Sequence, residues 1–164
     1  MDLGAITGTF ASIPMDWIIL GAFALLAAFD VVRAGSRRVT TLALALPVAL
    51  LLFTALPKAA VLGAVVAGLS ISHAQALFFV ALVVIMYVLI GRIGISYGSG
   101  PGQPIQAAVA GVALAAVTAV VWLDVPSLDT IWHFGAQVQS LFGESYRFWW
   151  LIGSYMALAF ARSR

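Results

Sequence analysis

Apolar residues in this chain do not alternate with polar ones. They come in long blocks broken by short polar or glycine-rich stretches. The first block is "WIILGAFALLAAFDVV". A helix rises about 1.5 Å per residue, and the hydrocarbon core of a bilayer is about 30 Å thick. The block is slightly short for a crossing, so Pro14, Met15 and Trp17 are expected to complete it at the interface, where Trp is favoured. The span is placed at 17–34. "VTTLALALPVALLLFTALP" is long enough to cross at 39–57, and Pro47 in its middle removes a backbone donor and should kink it. A third crossing is expected at 74–93, preceded by Ser72 and Gln75 at capping-box spacing. The glycine-rich turn "ISYGSGPGQP" leads to a fourth at 105–123, with Pro104 suited to its first turn.

Three further segments carry weaker periodicity. "AAVLGAVVAGL" is too short to cross and predicts an interfacial or re-entrant segment at 59–70, or a continuation of the second helix past a bend at Pro57. Across "SLDTIWHFGAQVQSLFGES", with the segment placed at 128–142, Ile131, Phe134, Val138 and Leu141 fall on one helical stripe, and Thr130, His133, Gln137, Ser140 and Glu144 on another. That pattern predicts an amphipathic helix lying in the interface. The aromatic-rich run at 148–161 predicts a tilted fifth crossing or a surface-lying helix. The expected fold is therefore all-α: a single polytopic membrane helix bundle of four to five transmembrane helices plus short interfacial helices.

Composition strengthens this reading. Of 164 residues, 63% are hydrophobic and 9% charged, where a soluble domain carries about a quarter charged residues. Mean hydropathy is +1.11. The absence of cysteine excludes disulfides and thiolate metal sites. A formal net charge of +2 gives no broad basic face for nucleic acid. The start, "MDLGAITGTFASIP", has an acid where a signal peptide carries its basic region, so it is not read as a cleaved signal.

The charges then orient the bundle. With five crossings and the N-terminus outside, Arg33, Arg37, Arg38, Arg92, Arg162 and Arg164 fall inside, and only Lys58 and Arg147 outside. Asp2, Asp16, Asp124, Asp129 and Glu144 fall outside and Asp30 inside. Lys/Arg bias sets membrane orientation. This predicts a multi-pass membrane protein with its N-terminus outside and its C-terminus inside. Arg33, Arg37, Arg38 and Arg92 serve as topology anchors, with a secondary attraction to anionic lipid headgroups.

Few residues offer chemistry. Asp30 is the one acid inside an apolar run; Arg33, three residues on, shares its helical face and is the expected partner of a local ion pair. His73 and His133 lack the three protein ligands a zinc site needs, although Asp129 stands four residues before His133. No catalytic, cofactor or metal residues are assigned. The clearest spacing concerns packing. Ala107, Gly111, Ala115 and Ala119 recur every four residues and predict a groove for close helix approach, with Gly21, Ala24 and Ala28 as a partner stripe.

From "MDWIILGAFALLAAFDVVRAGSRR" through "ISHAQALFFVALVVIMYVLIGRIG" to "IQAAVAGVALAAVTAVVWL", about Asp16 to Leu123, the arrangement resembles the colicin V production protein family. The features are an acidic–aromatic entry, a basic turn after the first span, a third span ending in Arg, and a glycine-rich turn into a small-residue span. Family members often carry an Asp-Arg pair at that turn, where this chain reads "GPGQPIQAAVAG" without charge. The resemblance implies a bacterial inner-membrane protein linked to envelope function or toxin export, and no catalytic residues. The expected function is a non-enzymatic scaffold or accessory subunit whose partners are the bilayer and itself or other membrane proteins, with no nucleic acid. The alternative is a small transporter or channel with Asp30 and the Pro47 kink along its path.

Overall fold

A computed structural model describes residues 13–55, 57, 72–93 and 103–161. The segment expected at 59–70, Lys58, the glycine turn at 98–102 and the terminal residues Asp2, Arg162 and Arg164 lie outside them. The described elements are all helical: α1 (Met15–Ala34), α2 (Arg37–Ala55), α3 (Ser72–Ile93), α4 (Pro104–Asp124), α5 (Pro126–Asp129), α6 (Ala136–Phe142) and α7 (Arg147–Ala161). Four of them, α1 to α4, are long and apolar enough to cross a bilayer. The chain is thus an all-α, multi-pass membrane bundle.

Its surface supports that reading. Leu25, Leu26, Leu77 and Met156 each expose about two-thirds or more of their area, at 73%, 69%, 73% and 68%. Such a continuous apolar exterior is a liability in water and the ordinary condition in lipid. Lipid tails are as apolar as leucine, so helices associate through close packing rather than through a hydrophobic drive, and small residues sit at the contacts. This explains the alanine content of α4. It is the central helix, 61% buried against 11% for α3, and it packs on α1, α2 and α7. Ala107, Ala110, Ala113, Ala116 and Ala119 are all buried there.

Helices α1 and α2 are joined by two residues. Gly35 closes α1 by donating its amide to the Val31 carbonyl at 2.9 Å. Its φ of 81° and ψ of 167° are open to glycine and strained for other residues. Helix α2 runs continuously through Pro47. Proline cannot donate to the carbonyl four residues earlier, which leaves the Ala43 oxygen without its helical partner. Tyr155 of α7 donates its hydroxyl to that oxygen at 3.0 Å, so a defect in one helix is satisfied by another. Phe53 and Phe79, edge to face at 5.6 Å, join α2 to α3.

The segment expected as one amphipathic helix over 128–142 is instead two short helices, α5 and α6, separated by a turn at 130–131 and a non-helical stretch at 132–135. The cause is tertiary. The amide of Gly135 and the indole of Trp132 both turn to the Asp16 carboxylate on α1, which continuous helix geometry would not allow. Phe134 and Val138 of the expected apolar stripe are buried, while Ile131 and Leu141 are exposed; Phe142 takes the next inward position.

Helix α7 has 15 residues, so it spans about 22 Å, short of the hydrocarbon thickness. It lies antiparallel to α4. Arg147 at its start pairs with Asp124 at the end of α4, and Ala157 near its end faces the Ala108 region near the start of α4.

Candidate functional site

The helix directions sort the polar residues into two ends. At one end the Asp16 carboxylate, only 9% exposed, sits in the first turn of α1, where the helix dipole favours an anion. Its Oδ1 accepts from Trp132 Nε1 at 3.1 Å and its Oδ2 from the Gly135 amide at 2.6 Å. Around it the indoles are tied down in turn. Trp122 donates to the Trp132 carbonyl at 3.0 Å, Trp17 to Gln137 Oε1 at 3.3 Å, and Trp150 to the Leu141 carbonyl at 2.8 Å. Trp122 meets Phe134 edge to face, and Phe142 stacks at a tilt on Trp150. Indoles with an apolar body and one N–H donor suit a membrane–water boundary. Here they clamp the 125–146 connection onto the ends of α1 and α4.

His133 Nδ1 lies 2.7 Å from Asp129 Oδ1, and His133 Nε2 lies 3.2 Å from the Gln139 side-chain amide. Gln139 also donates to the Phe134 carbonyl at 2.7 Å. One neutral tautomer satisfies all of these contacts, with Nδ1–H donating to the carboxylate and Nε2 accepting from the amide. The pair is exposed. Among the described residues no group of three or more His, Cys, Asp or Glu converges as a metal site. His73, also exposed, stands at the start of α3.

The other end is basic. Arg33 and Arg92 occupy the last turns of α1 and α3, where a cation complements the helix dipole. Arg37 Nη2 donates to the Gly91 carbonyl at 3.0 Å and so locks the start of α2 to the end of α3. Asp30 pairs with Arg38 at 3.6 Å. The expected partner was Arg33, on the same helix. The tight turn at Gly35 folds α2 back beside α1 and presents Arg38 to Asp30 instead, a contact that helical spacing cannot foresee.

The small-residue stripe of α4 meets α1. A Cβ on Gly111 would stand 2.3 Å from the Ala24 carbonyl oxygen and 2.9 Å from the Ala28 amide nitrogen. Ala107, Ala115 and Ala119 are buried above and below it. Gly21 takes no part: nothing lies within 4 Å of the position its Cβ would occupy. The groove at Gly111 is therefore filled from within the chain.

Sequence reasoning gave Asp16 only a place among the outward-facing acids, and gave Tyr155 no role. For Tyr155 a signal existed, since a proline inside a membrane helix always leaves one carbonyl in need of a donor. For Asp16 none did, because its partners lie more than 110 residues away. An open apolar groove of about 700 Å³ also runs between α4 and α7, past Val112 and Gly153. No family model matches this sequence, and neither curated proteins nor solved structures give a match.

Proposed function

We propose that the protein is a non-enzymatic scaffold or accessory subunit of the bacterial cytoplasmic membrane. Its Arg33–Arg37–Arg38–Arg92 end faces the cytoplasm and its Asp16 end faces outward. One observation carries the reading. The polar side chains at the outer end, Asp16, Asp124, Arg147, Asp129, His133 and Gln139, are engaged with one another or with backbone. They build a braced platform and leave the flanks of the bundle apolar. The resemblance to the colicin V production proteins supports a role in the envelope or in export on the same terms.

The test is chemical crosslinking in native membranes followed by co-purification. A defined stoichiometric membrane partner is the expected result. Orientation is read from single cysteines at Ser36 and Ser140, since the chain has no thiol of its own. An impermeant reagent should label position 140 and not 36; labelling at 36 from outside overturns the orientation. A second reading, a small transporter or channel, is favoured by Asp30 lining a cavity of about 360 Å³. Ion or solute flux in liposomes that Asp30→Asn abolishes would replace the scaffold reading with this one.

A further inference from the structure

Helices α1 and α3 both pack on α2 but make little contact with each other. A cleft remains between them. Its deeper part, about 360 Å³, is lined by Phe23 and Ala27 of α1, Leu42 of α2 and Val83 of α3. Towards the helix ends a second cavity of about 320 Å³, between α2 and α3, is lined by Arg37, Arg38 and Thr41 of α2 and Gly91 of α3. Tyr87 and Arg38 line both cavities, so the two adjoin. Phe23 lies seven residues, about two helical turns, deeper than Asp30. The cleft is thus graded from guanidinium groups at the helix ends to hydrocarbon below.

The charges select the occupant. Asp30 neutralises one of the two guanidinium groups and holds Arg38 at the rim. Arg37 is pinned by a single N–H to Gly91, and guanidinium carries five donors, so several remain for an incoming anion. Two cations and one carboxylate leave a net charge of +1. That matches one phosphodiester, a group to which Arg donates in bidentate fashion. From this geometry we infer that the cleft is a binding site for one monoanionic phospholipid. The phosphate lies against Arg37 and Arg38, and an acyl chain enters between Phe23, Leu42 and Val83. The inference is independent of the scaffold reading, because it concerns the basic end and needs no protein partner.

The experiment is native mass spectrometry of the full-length chain in mild detergent, with phosphatidylglycerol or phosphatidylcholine of matched chains. Retention of one phosphatidylglycerol per chain, at least tenfold tighter than phosphatidylcholine, is expected. The Arg37→Gln/Arg38→Gln variant should lose that preference, while Arg92→Gln, a surface cation outside the cleft, should keep it. Ala27→Phe, which fills the deep part without altering charge, should also lose retention. It decides the matter if the double variant fails to fold by circular dichroism. Equal retention of the two lipids overturns the inference. So does a loss in Arg92→Gln equal to that in the double variant, which would mark general surface attraction. Displacement of the lipid by glycerol phosphate alone would assign the site to a free anion and overturn it too.

Discussion

Replacing Gly111 with alanine adds one methyl group at the tightest point of the bundle. The new Cβ would lie 2.3 Å from the Ala24 carbonyl oxygen, 2.9 Å from the Ala28 nitrogen and 3.0 Å from the Ala28 Cβ. A relaxed carbon–oxygen contact needs about 3.3 Å. The obstructing oxygen and nitrogen are backbone of a continuous helix, so no side chain can swing away. Helices α1 and α4 must part by up to about 1 Å, and a gap of 0.5–1 Å forfeits roughly a quarter to a half of each contact's dispersion energy. Overpacking of this kind costs about 1–3 kcal/mol. Opposing it, alanine gains about 1 kcal/mol over glycine in a helix interior. Gly21→Ala takes the same propensity gain with nothing within 4 Å, and serves as the matched control. The propensity gain cancels between the two, so Gly111→Ala should be less stable than Gly21→Ala by about 1–3 kcal/mol. The assay is equilibrium unfolding in mixed micelles with increasing dodecyl sulfate, followed by circular dichroism. Agreement of the two variants within about 0.5 kcal/mol, the range of an uninvolved surface change, would refute the close approach of α1 and α4 at this point.

Three further outcomes follow from the same reasoning. Tyr155→Phe strands the Ala43 carbonyl and should cost about 1 kcal/mol, the scale of a net hydrogen bond; Pro47→Ala, which restores a helical N–H to that oxygen, should cancel most of the loss in a double-mutant cycle. Gly35→Ala places a Cβ at φ 81°, ψ 167° and should destabilise by about 1–3 kcal/mol in the same unfolding assay. Asp16→Asn puts an amide where two donors, Trp132 Nε1 and the Gly135 N–H, converge. It should cost about 1.5–3 kcal/mol and shift the tryptophan emission as the clamp loosens; unchanged emission and stability would dissociate Asp16 from the cap.

Much of the architecture was legible in one dimension because the bilayer imposes a one-dimensional rule. Backbone groups in lipid must be satisfied within the protein, and a helix does so almost entirely within one segment, so an apolar run of sufficient length becomes a helix. The four long apolar helices follow from that rule; the polar break "RAGSRR" marked the boundary between the first two, which the structure narrows to the two-residue turn at Gly35. A small residue every fourth position marks a helix face suited to close approach, and the same spacing offered Gly21, Ala24 and Ala28 as its partner. The structure sets Ala24 and Ala28 against Gly111 and leaves Gly21 facing open space.

The connection at 125–146 shows where local information ended. Its residues have the periodicity of one amphipathic helix, and in isolation nothing opposes that conformation. Asp16, folded next to it from the other end of the chain, offers a buried carboxylate that needs donors, and Trp132 and Gly135 leave helical geometry to supply them. The partner of Asp30 was decided the same way, by a helix folded back beside it, and the donor for Ala43 by a helix more than 100 residues distant. Hydrophobic pattern determined which segments enter lipid, because that depends on each segment's own transfer energy. Which polar groups meet depends on where the helices bring them, and only the assembled bundle contains that information.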